Sequence, residues 1–537
     1  MTILEKNIQA LLSGVNEPLG NKLLNFIQNK TCSRFNIDEN LNIYDKTHNV
    51  FMYENLEEEL NFFYQSILEK TPRYPFVCIY GIGNALLIKN LAKHYKHLFV
   101  FESEIELFIL ALSTIDLSEE LCSGKIYLVD IEEERVDIQL LILFDMKDMF
   151  EYLSLYEMFV NNSFYKQFCE KTWCETDEFC KKNIEIVIRD SGLNSNLSFQ
   201  SYFHFLQNIP SMLESIPFQR ILSQRKNKFD NAIVVSAGPS LAKQLPLLKA
   251  CQDKAVIFCA DGALSMLEKE GIVPDYVTNL DFTDLAMKFF QNKENKTSLN
   301  ILSCATHPNV AHSLKAENCM IVLRNKALYQ RFNFNDFGYI DTGTHVSHFS
   351  YTLALALGFK NIIMIGQDLA FDEEGNSHSK GFDFGEKFSG EENIDKLKIP
   401  AYAGKGEVLT HTTWNDYRIK LEYLFACNDQ KAKFYNATEG GARINFTEEL
   451  SFKECCEKLL TKEKPKFELP KSLTKNRSDK LLVKFKEKIQ KDQENAKRFL
   501  DDALALKQIL ENILSKDFIL PLEFLEKVYQ NIENFNH

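Results

Sequence analysis

No run in this sequence approaches the roughly 18 uninterrupted apolar residues that a membrane-spanning helix needs. Its first residues, Met1-Thr-Ile-Leu-Glu-Lys-Asn-Ile8, lack the basic start and apolar stretch of a secretory leader. A cytoplasmic protein with no integral membrane segment is expected. A C-x-x-C pair is also missing. The thirteen cysteines are scattered, with neighbours such as Cys169, Cys174 and Cys180 or Cys455 and Cys456. That argues against a zinc or redox centre and for reduced thiols. Basic charge is not in excess: 62 Lys and Arg stand against 75 Asp and Glu, a net charge of -13. A sequence-independent grip on nucleic acid or an anionic membrane is therefore not expected of the whole molecule. No repeat of about 20 to 50 residues is present, which disfavours a solenoid. What remains is ordinary globular composition, 45% hydrophobic and 26% charged over 537 residues, enough for roughly three domains.

Residues 1–195 read as an α/β Rossmann-like domain. The apolar run Phe76-Val-Cys-Ile-Tyr80 enters Gly81-Ile-Gly83-Asn84, a helical pattern follows, and a second apolar run, Leu98-Phe-Val-Phe101, ends in Glu102. A glycine turn followed by an acid some 20 residues on is the outline of a nucleotide or S-adenosylmethionine site. The third glycine is missing, position 86 being Leu, and a purely structural strand-to-helix turn is the favoured reading. Residues 196–230 read as a polar helical connector ending in Gln224-Arg-Lys-Asn-Lys-Phe-Asp230. From Asn231 to Phe446 six or seven short apolar runs alternate with helical segments, the pattern of a mostly parallel sheet in a Rossmann-like α/β domain. Residues 447–537 form a helical C-terminal region, rich in Lys and Glu beyond Pro470.

The chemistry-bearing residues gather in 231–446. Val235-Ser-Ala-Gly238-Pro239-Ser240-Leu241 is a strand breaking into a helix. Glycine admits close approach, proline suits the first helical turn, and Ser240 adds a hydroxyl to the free amides, so an anionic phosphate would sit well there. A tight turn with a capping serine is the structural alternative. No Gly-Lys-Ser/Thr follows, which excludes a P-loop. Asp261 and Asp281 fall at the ends of the next two strands, where open parallel sheets bind ligands. Asp341-Thr342-Gly343-Thr344-His345-Val-Ser347-His348 offers hydroxyl and amide donors at a second helix start. His345 and His348 have the spacing to share a metal, but polar contacts at the helix start are the favoured role. Gly366-Gln367-Asp368 ends a further strand and leads into a glycine- and acid-rich loop with Ser377-His378-Ser379, suited to a ligand lid. His411 enters another helix, where a histidine can serve as a general base. Asn436-Ala-Thr-Glu439-Gly-Gly-Ala-Arg443 closes the region.

Together these segments resemble the motility-associated glycosyltransferases, bacterial proteins that glycosylate flagellin with nonulosonic acids. The resemblance rests on Ser236-Ala-Gly-Pro-Ser-Leu241, Ala260-Asp-Gly-Ala263, Gly271-Ile-Val-Pro-Asp275 with Leu280-Asp281, Thr342-Gly-Thr344, Gly366-Gln-Asp-Leu-Ala370 and Asn436–Arg443. The central domain is also similar, more distantly, to bacterial sialyltransferases that use CMP-sialic acid. That likeness implies Gly238, Pro239 and Ser240 at the nucleotide, Thr342 and Thr344 at the donor, and His411 as base. The sialyltransferase pattern has Asn where Ala237 and Asp261 stand here.

The resemblance implies transfer of a pseudaminic- or legionaminic-acid-type sugar from its CMP form to Ser or Thr of flagellin, with inversion. His411, Ser240 and Thr344 would be catalytic. Gly238, Pro239, Ser240, Asp261, Asp281, Thr342, Gly343, Thr344, Gln367, Asp368, His378, Asn436 and Glu439 would bind the donor. No D-x-D pair stands at the expected strand end. No obligatory cofactor is expected, although Asp261, Asp281 and Asp368 leave a divalent ion open. Two other activities share parts of the pattern: pyrophosphate transfer to a pterin, through the Gly-Pro-Ser-Leu and Gly-Ile-x-Pro-Asp segments, and methyl transfer at Gly81 and Gly83. Non-catalytic flagellin binding would leave the pocket vestigial.

Overall fold

The computed structural model describes residues 2–13, 16–30, 32–133, 135–146, 149–190, 195–290, 298–388, 396–404 and 406–514. The chain divides into two compact units, Met1–Ser195 and Asn196–His537.

In the first unit, β1 (Phe35–Ile37), β2 (Ile43–Asp45) and β3 (Val50–Phe51) form a small antiparallel sheet. The main sheet holds β4 (Phe76–Tyr80), β5 (His97–Glu102), β6 (Ile126–Asp130) and β7 (Met158–Val160) in the parallel order β6-β5-β4-β7. Every residue of β4 is buried. Such unbroken apolar runs belong to strands covered on both faces, which parallel sheets require.

The second unit is built on one sheet, fully parallel among the described residues. Its strands are β8 (Asn231–Val235), β9 (Val256–Ala260), β10 (Tyr276–Asn279), β11 (Leu299–Ser303), β12 (Cys319–Arg324), β13 (Tyr339–Ile340) and β14 (Asn361–Ile365). A hairpin of β15 (Lys396–Pro400) and β16 (Glu407–His411) stands apart from the sheet, which β17 (Lys433–Asn436) and β18 (Glu448–Glu449) complete. The order β13-β12-β11-β10-β9-β8-β14-β17-β18 makes nine strands where six or seven were expected. The two unforeseen strands, β13 and β18, lie at the edges and have two residues each, too few to show a period.

Alternation along the strands builds a core on each face. Ala232 and Val234 join one, Ile233 and Val235 the other, and each fully buried Val or Ile side chain contributes about 1.5–3 kcal/mol. The segment read as a polar connector is part of this packing. Helix Ser195–Glu214 inserts Phe205, Ile209, Met212 and Leu213 into one core, and helix Phe218–Arg225 adds Phe218 and Ile221 to the other. The long C-terminal helix Lys475–Leu514 lays Leu481, Leu482, Phe485 and Ile489 against the first core, a stripe of helical spacing.

Strand order also locates the ligand crevice. From β8 the chain runs outward one way through β9, β10, β11, β12 and β13, then returns to β14 on the other side of β8 and continues to β17. Beyond the carboxyl ends of β8 and β14 the connections diverge, and open α/β sheets bind ligands at that switch point.

Candidate functional site

The two motifs that leave β8 and β14 meet at this switch point. Ser236 N–H donates to Ile365 O at 3.0 Å and Gly238 N–H to Gly366 O at 2.8 Å, so the turns continue the strand pairing past the sheet. Ser236 Oγ donates to Gln367 Oε1 at 2.9 Å, and Tyr351 OH, from helix Val346–Leu357, donates to the same oxygen at 3.2 Å.

Asp368 lies directly over the Gly-Pro-Ser turn. Its carboxylate accepts Ser240 Oγ–H at 2.8 Å and Ser240 N–H at 3.3 Å. Only glycine allows this approach, because a Cβ at position 238 would stand 2.1 Å from Asp368 Oδ2 and 2.5 Å from Gly366 O. Burial raises the Asp368 pKa from 3.8 to about 6, although the Ser240 bonds pull the other way. The next amide of this helix is also engaged: Ala242 N–H donates to Ser379 Oγ at 3.0 Å. The helix start that the sequence offers to a phosphate is thus capped by the protein's own Asp368 and Ser379. Pro239 and Ser240 only lead into helix Leu241–Cys251.

The second helix start is different. His345 is the N-cap of Val346–Leu357, its Nδ1 accepting His348 N–H at 3.3 Å and lying 2.8 Å from Ser347 Oγ. The neutral ring then carries its proton on Nε2. That Nε2 and the Thr344 hydroxyl are both buried without a hydrogen-bond partner among the described residues. Burial, with the neighbouring His348 and Lys420, holds the His345 pKa well below the usual histidine value, so the ring is neutral. No group of three or more metal-ligating side chains occurs among the described residues. Gly343 N–H donates to Asp341 Oδ1 at 3.0 Å, and Thr342 is buried beside it.

His411 repeats the pattern as N-cap of helix Thr412–Ala426. Its Nδ1 accepts Trp414 N–H at 3.4 Å, and Nε2, in a residue only 3% exposed, has no partner among the described residues. Burial, helped by Lys396, lowers its pKa to about 4. The ring packs 4.1 Å from Trp414 and 6.0 Å from Phe371. Two bonds tie β16 to the segment that follows Asp368: Thr410 Oγ–H donates to Leu369 O at 2.7 Å and Phe371 N–H to Leu409 O at 2.8 Å. The same helix meets the second cradle through Tyr417, stacked 4.7 Å from His345. His378 lies flat on Phe382 at 3.9 Å, Nδ1 beside Ser377 Oγ at 2.9 Å, and burial lowers its pKa to about 4.

The remaining expected residues are occupied within the fold. Asp261 accepts Gly262 N–H at 2.7 Å and the Asn279 side-chain amide. Asp281 accepts Thr283 N–H at 2.8 Å. Glu439 accepts Phe452 N–H at 3.1 Å, while Asn436 accepts Thr438 N–H at 3.2 Å and keeps a buried Nδ2 without a partner among the described residues. Tyr351 and Lys396 carry no signal in the sequence, since each belongs to the site only through tertiary contacts, with Gln367 and with Phe371.

In the first unit the Gly81 turn is filled from within. Glu102 accepts Tyr165 OH at 2.6 Å and Ile82 N–H at 3.1 Å. A Cβ at Gly81 would lie 2.3 Å from the Tyr165 ring. The acid that would take ribose hydroxyls is already used, as a structural turn requires.

Residues 203–374 match the family described as 6-hydroxymethylpterin diphosphokinase MptE-like. Among solved structures, the chain is similar to the MAf glycosyltransferase from Magnetospirillum magneticum AMB-1. The identity is 17% and the TM-score 0.48, over 90% of this chain and 78% of that one. No curated protein matches the sequence. No helix among the described residues is long and apolar enough to cross a membrane.

Proposed function

We propose that this chain is a glycosyltransferase that moves a nonulosonic acid of the pseudaminic or legionaminic type from its CMP donor to Ser or Thr hydroxyls of flagellin. One observation carries the reading: Thr344 Oγ and His345 Nε2 are buried donors without acceptors among the described residues, at the start of helix Val346–Leu357. This helix packs across β8, β9 and β10 and touches Gln367 through Tyr351. A helix N-terminus with two waiting donors suits a phosphate diester.

Transfer breaks the bond between the anomeric carbon and the phosphate oxygen, whose electron pair stays on CMP. Thr344, the neutral His345 N–H and the helix dipole stabilise that charge as it grows. The acceptor hydroxyl attacks from the opposite face, inverting the anomeric centre. Its proton passes to Asp368, whose pKa burial raises to about 6 and whose Oδ1 accepts Ser240 N–H at 3.3 Å. Ser240 orients that carboxylate. The resemblance makes His411 the base. Its hydrogen bonding gives it an Nε2–H instead, so the proton-accepting role goes to Asp368. Gln367 and Asn436 line the same crevice, and no step requires a metal.

The test is incubation of the purified chain with unglycosylated flagellin and CMP-pseudaminic or CMP-legionaminic acid, followed by intact mass. An added sugar mass per modified residue is expected. Absence of both transfer and saturable CMP binding would overturn the proposal. The family match favours one second reading, pyrophosphate transfer to a pterin. It spans Gly238–Ser240, Thr344 and Asp368 but ends before His411 and Asn436. Release of AMP from ATP with 6-hydroxymethylpterin would establish it.

A further inference from the structure

His411 and Lys396 form a pair that the transfer chemistry above does not use. They are direct partners in the β15–β16 hairpin. Side chains of antiparallel partners emerge on the same face with Cβ atoms about 4.5–5.5 Å apart. Lys396 places its ammonium 4.8 Å above the Phe371 ring and has no carboxylate partner among the described residues. Its charge reaches His411, where it helps keep the ring neutral. The His411 Nδ1 lone pair is committed to Trp414 N–H, so the buried Nε2 is a donor with no acceptor among the described residues. The pair thus offers one cation and one neutral N–H side by side. Phe371 and Trp414, their ring centroids 5.0 Å apart, pack against it.

A buried donor left unpaired costs about 1–3 kcal/mol, which a bound acceptor recovers. The complementary ligand is a monoanion with two acceptor oxygens and an adjoining apolar group. Resting on the function proposed above, which puts the donor phosphate at Thr344 and His345, the remaining anion of a nonulosonic acid donor is its carboxylate. We propose that Lys396 and His411 form the subsite that reads the carboxylate of the donor sugar, with Trp414 and Phe371 against its acyl-bearing face. This subsite would make the enzyme selective for acidic sugars. It is held by the hairpin and joins the switch point through Leu369, whose carbonyl accepts Thr410 Oγ–H.

The experiment compares two probes on the full chain: CMP, which lacks the carboxylate, and the CMP-nonulosonic acid that transfers best. Titration calorimetry is run on wild type, Lys396→Met, Lys396→Arg and His411→Phe, each checked for folding by its thermal transition. Lys396→Met and His411→Phe are expected to weaken the sugar nucleotide about tenfold each, as loss of a charge-assisted contact predicts. CMP affinity should stay within twofold, and Lys396→Arg should restore most of the loss. Equal losses for both probes would instead place the phosphate here, and no loss for either would leave the pair without a ligand role. Both results overturn the subsite while leaving the glycosyltransferase reading standing. Failure of wild type to bind either probe would remove that reading and the subsite with it.

Discussion

Asp368→Asn tests the site most directly, because it should raise stability and abolish transfer together. The carboxylate is 4% exposed and its pKa is raised from 3.8 to about 6 by burial, with Asp372 adding to the shift. About two pKa units at 1.36 kcal/mol each put the cost of the charged form near 3 kcal/mol at pH 7.5. The neutral amide avoids this cost. Its oxygen still accepts Ser240 N–H, and its NH2 can donate to the Ser240 hydroxyl, which rotates to receive it. The folded state binds its proton at higher pH than the unfolded chain. The wild-type contribution therefore falls as pH rises from about 4 to 6, and the variant's advantage grows over the same window. Urea unfolding followed by Trp414 fluorescence in a Trp173→Phe background would read this in the second unit. A gain of up to about 3 kcal/mol at pH 7.5 that vanishes near pH 4 is expected, with transfer reduced at least about 100-fold. A variant less stable at pH 7.5, or one that transfers sugar at wild-type rate, would refute the reasoning.

Gly238→Ala should lower stability by about 1–3 kcal/mol and impair transfer, since its methyl would collide with the Asp368 carboxylate and the Gly366 carbonyl; thermal melting and intact-mass assays check both. Thr344→Val and His345→Phe should each weaken CMP binding about 3- to 30-fold with the fold intact, measured by calorimetry. The wild-type rate should rise with pH through an apparent pKa near 6, and this limb should disappear in Asp368→Asn. Folding holds His378 and His411 neutral down to about pH 4 against an ordinary 6.5. The unfolded chain takes up those protons first, so their contribution is full above pH 6.5 and falls between 6.5 and 4, which acid titration of the Trp414 signal would show.

The two halves of the site differ in how far they could be read. The run Val235–Leu241 announced a strand, a glycine turn and a helix. The structure has all three, yet the phosphate cradle inferred there is closed by Asp368 and Ser379, residues over 120 positions away. A hydrogen bond of that span leaves no periodic trace. His411 was legible as a helix-entrance histidine. Which nitrogen it offers depended on Trp414 N–H. The Gly81 turn followed a ligand-binding outline, and only the fold shows the Tyr165 ring packed against it.

The sequence by itself determined the α/β class, the seven longer strands of the large sheet and the helix starts that carry polar donors, because these follow from local periodicity and turn chemistry. Tertiary structure decided the strand order, and with it the switch point that brings Gly238, Asp368 and Thr410 together. It also decided which donors remain unpaired. Capping is a competition among groups brought together by folding: the turn at Ser240 finds a carboxylate within the protein, whereas Thr344, His345 and His411 keep donors without a partner among the described residues.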